Sequence, residues 1–364
     1  AGAAAGLVEG DLAGQAGAAY LVRLIVTLPA LVIAVTAPLA GLVLDRLDRW
    51  PVVFWSLAAF VVFGAAGSAA DSLEVLLATR AGLGLSVAFL MAGFTSLIGD
   101  MFEPEGRGAI MSRQVGANSM VALSMILMAG VFAEMDWRGA FLIYLAAAPL
   151  VLAFWLFVPY RPRSEAQAAS TVPGGEEASM AVVMAVYALA LFCPLLYMIL
   201  PTQSPFLIAE TYDGTPTTIA LAFGASTLGV LPGSLAFGRL RQRLSTWVLF
   251  GAGFSIMGLG MLLQSIAPNL GLLVAAMIFS GVGFGLVMPN LSTTLLAAAP
   301  AHLRGRLSGG LVSSIFLGQF LSPVASQPVV DAYGYPPTFM LGGLLLCAVA
   351  LAAFAGAMSR RSAT

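Results

Sequence analysis

Long apolar runs separated by short polar turns make up nearly all of this chain. From Leu24 to Leu44 the only polar side chains are Thr27 and Thr36, and from Pro51 to Ala70 only Ser56 and Ser68. A bilayer core asks for about 20 apolar residues per helix. Eleven runs meet that length, at 20–44, 52–70, 75–99, 111–133, 139–158, 180–199, 217–238, 246–267, 270–298, 308–330 and 338–358. They are too long and too continuous for barrel strands, which alternate over about 10 residues. The turns between them are mostly short, so consecutive helices are expected to be antiparallel neighbours. The pattern predicts an all-α membrane protein with lipid as its solvent. The longest polar gap, 159–179, "PYRPRSEAQAASTVPGGEEAS", is rich in Pro, Gly, Ser and charge. It reads as a flexible cytoplasmic linker between an N-terminal helical bundle, 1–158, and a C-terminal one, 180–364.

Composition agrees with the pattern. Of 364 residues 60% are hydrophobic and 9% charged, with a mean hydropathy of +0.96, whereas a soluble chain carries about 25% charged residues. The net charge of −1 gives no reason to expect a nucleic-acid partner. A single histidine, His302, excludes a histidine-based metal cluster, and no metal or cofactor is expected. Cys193 and Cys347 both fall inside apolar runs and read as small buried hydrophobes. No Walker-type nucleotide signature is present, so any transport would be driven by gradients.

The charges set an orientation. All sixteen basic residues are arginine. With the turn "GLVLDRLDRW", residues 41–50, placed in the cytoplasm, alternation puts thirteen of them on the same side, leaving only Arg23, Arg80 and Arg138 toward the other. The positive-inside rule then predicts a cytoplasmic C-terminus. The two halves also resemble each other in order. "GLVLDRLDRW" has a partner in "SLAFGRLRQRL" at 234–244, and "EGRGAIMS" at 105–112 has one in "HLRGRLSG" at 302–309. Parallel repeats of this kind are a transporter architecture. The basic turn follows the second run of the second half but the first run of the first half, so the simplest expectation is a twelve-helix protein whose first helix precedes this sequence. A natural eleven-helix chain is the alternative.

These motifs carry a resemblance. "GLVLDRLDRW" resembles the signature between the second and third helices of the major facilitator superfamily, with its Gly, Asp-Arg pair and second Arg. "RAGLGLSVA" at 80–88 resembles that family's fourth-helix motif, "DMFEPEGRG" its loop between helices four and five, and "DWRGAF" at 136–141 the turn opening helix six. The resemblance implies two pseudo-symmetric helical bundles, with eleven of twelve transmembrane helices present. It also implies secondary active transport of small organic solutes across a bacterial inner membrane by alternating access. Within the superfamily the chain looks most like drug and metabolite efflux permeases, which implies proton-coupled efflux by a monomer. It departs from the antiporter motif of helix five, since "NSMVALSMILMAGVFA" at 118–133 keeps only Gly130. Import by the same fold, and a non-transporting scaffold that acts as sensor or partner, are the alternatives.

The mechanism-bearing residues follow from this frame. The charged turn is expected to latch the two bundles on the cytoplasmic side, with Gly41 allowing close helix approach and Asp45 pairing with Arg46, Arg49 or Arg107. In the second half Gly238 stands where Asp45 does, and the cations remain, beginning with Arg239. Arg80, an ionisable group inside an apolar run, is a functional candidate by default, and the resemblance implies a coupling or substrate role for it and for Gly84. No Asp or Glu lies deep in any run; Asp100, Glu134, Glu210 and Asp331 all fall at ends. The polar side chains expected to face a central cavity are Asn118, Tyr197, Gln203, Asn290 and Gln319. The Met and Phe residues around them suit amphiphilic organic solutes.

Overall fold

The computed structural model describes residues 18–44, 47–101, 117, 121–122, 124–129, 131–132, 138–160, 180–298 and 304–361. Among them every regular element is helical. In chain order they are α1 (Ala18–Leu44), α2 (Arg49–Ala66) with one 3-10 turn at Gly67–Ala69, and α3 (Leu73–Met101). Next comes α4 (Gly139–Leu142), which passes through a 3-10 stretch, Ile143–Ala147, into α5 (Ala148–Phe157). The second half holds α6 (Met180–Tyr197), α7 (Ile199–Tyr212), α8 (Pro216–Arg241), α9 (Thr246–Ser265), α10 (Leu270–Ala298), α11 (Arg304–Tyr333) and α12 (Tyr335–Arg361). Counting α4 with α5 and α6 with α7, ten stretches of the described residues are long and apolar enough to cross a membrane. About half of the eleventh expected run, 111–133, lies outside the described residues.

Local chemistry fixes the helix ends. Thr215 caps α8 by accepting from the Thr218 amide at 3.3 Å, with Pro216 in the first turn where its missing N–H costs nothing. Ser245 caps α9 by accepting from the Val248 amide. Between α11 and α12 the chain reverses through Gly334 at φ +82°, a conformation that favours glycine. One boundary differs from expectation. The sequence predicts a turn soon after residue 199, yet the helix resumes after a single turn residue, Met198, and runs to Tyr212. Met198 N–H donates to Pro194 O at 2.9 Å and Thr202 N–H to Met198 O at 3.1 Å, so the ladder crosses the break. The polar residues that make 200–212 read as a loop, Thr202, Gln203 and Ser204, are buried in the protein.

Packing divides along the chain. In the first half α3 lies against α1 and α2, over a small core of Val53, Leu57, Leu90 and Phe154. In the second, α10 lies against α8 and α9, α9 against α12, and α6 against α11, around Phe250, Phe254, Met257, Met261, Met277 and Phe339. Lipid tails give helices no hydrophobic reason to associate, so close approach through small residues supplies the contact energy. At Gly233 and Gly285 an added Cβ would strike the carbonyls of Val282 and Val230, and α8 and α10 touch backbone to backbone there. Trp55, Phe157 and Leu235 are exposed on the outside, where lipid is their natural cover. The halves meet where α1 runs along α11. A Cβ on Gly309 would lie 3.9 Å from Pro38 Cα at this seam.

Candidate functional site

The charged turn is partly described. Asp45, Arg46 and Arg107 lie outside the described residues. Among the described residues nothing lies within 4 Å of a would-be Cβ on Gly41. Arg49, half-buried, is the first residue of α2. Asp48 stands at the N-cap of α2 in extended backbone conformation but makes no capping bond. Its carboxylate accepts instead from the Tyr160 hydroxyl at 2.6 Å. Two residues on, Trp50 donates its indole N–H to Val158 O at 2.7 Å, with its ring 5.5 Å from Phe154 and edge-on to Tyr160 at 6.1 Å. The start of α2 is thus moored to the end of α5, just before the polar gap. The hydrogen bond to Asp48 holds the Tyr160 phenol above its ordinary pKa, because ionising it would set two anions side by side. Sequence reading missed this clamp, since a Trp and a Tyr about 110 residues apart carry no motif.

Arg80 is buried to 4% exposure, and its surroundings explain the arginine. Its Nη2 donates to Gly64 O at 2.9 Å and to Phe63 O at 3.2 Å, and its Nε to Thr79 Oγ1 at 3.4 Å. Phe63 and Gly64 belong to the last turn of α2, where carbonyls lack helical donors and the macrodipole is negative. The guanidinium carbon lies 4.7 Å from the centroid of Phe141 and 5.6 Å from that of Tyr144. Arg80 of α3 therefore caps α2 and is lidded by the α4 region. Two glycines make room. A Cβ on Gly67 would come within 2.6 Å of Arg80 Nη2 and 2.9 Å of Phe141, and one on Gly64 would strike the Tyr144 ring. Gly84 lets α3 sit on α1, since its Cβ would approach Pro29 O to 2.7 Å. The described partners of both motif residues are thus helix contacts within the first half.

In the second half the expected cavity residues part company. Arg239 is exposed in the last turn of α8. Arg241, also in that turn, bonds Thr246 Oγ1 and approaches Asn290 Oδ1 at 3.4 Å. Asn290 is fully buried and donates to Thr246 O at 3.0 Å. It ties α10 to the start of α9 and does not stand free in a cavity. Tyr197 stacks on Phe284 at 4.0 Å with rings 14° apart, joining α6 to α10. Gln203 is fully buried on α7 and donates to Ser326 Oγ at 2.9 Å and Gln327 Oε1 at 3.3 Å on α11. Gln319 is half-buried on α11, and Asn118 lies outside the described residues. The structure brings Gln203 to the C-terminal part of α11 but does not gather the four described candidates into one cluster. Among the described residues no group of His, Cys, Asp and Glu could hold a metal.

A family model described as the Major Facilitator Superfamily matches residues 3–323 and, in a second match, 180–363. The 4-hydroxybenzoate transporter of Pseudomonas aeruginosa is 28% identical over 121 residues, which is 33% of this chain and only 27% of that protein. An uncharacterised MFS-type transporter of Bacillus subtilis is 26% identical over 325 residues, 85% of this chain and 78% of that protein. The crystal structure of a human organic anion transporter matches with a TM-score of 0.66 at 16% identity, covering 97% of this chain and 88% of that one, a likeness of fold. With a helical fold of that kind and a family match over most of its length, the chain belongs to the Major Facilitator Superfamily.

Proposed function

We propose that this protein is a secondary transporter that moves small organic solutes across a bacterial inner membrane by alternating access, with its C-terminus in the cytoplasm. The observation that carries the reading is the seam between the halves. α1 of the first half lies along α11 of the second, and the charged turn of residues 45–49 directly follows α1. A seam of this kind lets two helix groups rock against each other while charges at one end hold or release them. Asp45, with Arg46, Arg49 and Arg107, serves as the cytoplasmic latch, and Arg239 opposes it from the second half.

Aromatic or amphiphilic solutes are the substrate class we assign. Phe284, half-buried where it stacks on the buried Tyr197, keeps part of an apolar ring open, and a relative is named for 4-hydroxybenzoate. Export driven by the proton gradient is the direction and drive implied by the resemblance to efflux permeases. Among the buried described residues, however, Arg80 is the only charged side chain, and it is engaged as a helix cap. The test is flux in proteoliposomes with labelled 4-hydroxybenzoate and a panel of aromatic amphiphiles, under imposed pH or sodium gradients. Saturable flux that falls at least tenfold in Asp45→Asn is expected. If no solute of the panel moves in either direction under either gradient, the reading fails.

A further inference from the structure

The two halves differ in the charge they carry at one end. From residue 214 to 364 the chain has a single carboxylate side chain, Asp331, against seven arginines, in the turns at 239–243 and 304–306 and at 360–361. Asp331 stands 27 residues along α11 from Arg304, about 40 Å away at 1.5 Å per residue. By alternation the turns of the first half on the arginine side are 45–49 and 100–113, and they mix five carboxylates with four arginines. That end of the second half is therefore cationic with no counter-charge of its own.

Helix register brings part of this charge together. A Cβ on Gly251 would meet the Phe354 ring at 2.7 Å, and one on Gly258 would meet Cys347 Sγ at 2.7 Å. Seven residues forward on α9 match seven back on α12, so the two helices run antiparallel. Continued to the helix ends, that register sets Arg360 and Arg361 level with Ser245 and Leu244, in the turn before α9. Arg241 pins the turn by bonding Thr246 Oγ1 across it. Arg243, two residues on, is exposed, as is Arg239, and among the described residues neither has a carboxylate partner.

Depth identifies the partner. Apolar spans cover Thr246–Ser265 and Tyr335–Met358, so Arg243, Arg360 and Arg361 all fall within three residues of a span's end, at the level of lipid headgroups. Trp247, half-buried in the first turn of α9, is a residue type that settles at that boundary. Leu351 and Met358, one heptad apart on α12, are 69% and 66% exposed and form an apolar strip leading up to the arginines. Basic clusters at the end of a membrane helix draw anionic lipid. A soluble anion would meet the charge but leave the strip unused. We propose that the turn before α9 and the end of α12 bind the phosphate headgroup of an anionic phospholipid through Arg243, Arg360 and Arg361, with its acyl chains along α12. Arg239 is left to the latch.

The site stands on charge, register and depth, whether or not the transport reading holds. The full chain is placed in phosphatidylcholine nanodiscs doped with brominated phosphatidylglycerol or, at the same fraction, with brominated phosphatidylcholine. Bromine quenches nearby tryptophan, and Trp247 is read as the difference between the parent and Trp247→Phe. The anionic lipid is expected to be enriched at Trp247 by at least about fivefold, the worth of one arginine near an anionic surface. Enrichment should vanish in Arg243→Gln/Arg360→Gln/Arg361→Gln, which alters a surface turn and a helix end and should melt like the parent. Equal quenching by the two lipids in the parent, the result if these arginines only set topology, would overturn the proposal without any variant. Enrichment that the triple variant keeps would overturn it too. Enrichment abolished by inorganic phosphate, but not by chloride at equal ionic strength, would assign the arginines to a free anion instead of a lipid. Enrichment that emerges only in Glu165→Gln/Glu176→Gln/Glu177→Gln would mean that the chain's own acidic linker covers them, and the lipid proposal fails. Solute flux without enrichment removes the site and keeps the transport reading; enrichment in a protein that moves no solute does the reverse.

Discussion

Replacing Arg80 separates a helix cap from a coupling residue. In Arg80→Met the carbonyls of Phe63 and Gly64 lose a donor at 3.2 and 2.9 Å, each worth about 1–3 kcal/mol when left unmet. The contact over Phe141 at 4.7 Å adds about 1 kcal/mol. Against this, the variant no longer holds a charge within an apolar span, which returns about 3 kcal/mol. The net loss is about 2 kcal/mol. Unfolding entropy of about 2.1 cal/mol/K per residue over a chain of this size makes roughly 0.8 kcal/mol/K, so the melting midpoint should fall by about 2–3 °C. Arg80→Lys keeps the charge and its cost, reaches fewer carbonyls and presents no planar face to the rings. It should therefore be destabilised about as much as the Met variant. Melting of the detergent-purified protein, paired with flux normalised to folded protein, reads both quantities. A cap leaves normalised flux within a few-fold of the parent in both variants. If both melt like the parent yet lose flux, or if Lys restores flux that Met abolishes, Arg80 handles ions or substrate and the capping account is wrong.

Two further predictions bear on the first half. Gly67→Ala places a methyl 2.6 Å from Arg80 Nη2 and 2.9 Å from Phe141 and should cost about 1–3 kcal/mol by overpacking; combined with Arg80→Met it should cost less than the sum, because the longer side chain it displaces is gone, as a double-mutant melting cycle would show. At the clamp, the bond from Tyr160 to Asp48 needs a neutral phenol, whose pKa is raised in the folded protein by that bond. Its stabilising contribution is therefore complete below the ordinary tyrosine value of about 10 and is lost as pH rises through the higher folded value. Asp48→Ala should let the Tyr160 phenolate form at lower pH in an ultraviolet titration read against Tyr160→Phe, and an unchanged titration would refute the clamp.

The membrane class was legible in the chain because lipid imposes a one-dimensional rule: a span must be long, apolar and helical, and each of these is a property of a contiguous stretch. Runs such as 24–44 and 246–267 satisfy it without reference to any neighbour, and the repeat of basic turns orders them into halves. Helix 199–212 escaped the rule because its polar residues, Gln203 among them, look like loop until α11 is seen to bury them. The roles of single polar residues were likewise undetermined, since they depend on which carbonyl or hydroxyl faces them across a helix pair. Arg80 reads as an anomaly in an apolar run, and only the end of α2, sixteen residues back, shows it to be a cap. Asn290 reads as a cavity residue until α9 presents Thr246 to it. Sequence alone determined that these helices exist and lie in a bilayer, because apolar length suffices for that. The tertiary structure decided what their few polar atoms do, because a hydrogen bond is made by two partners and the chain displays them one at a time.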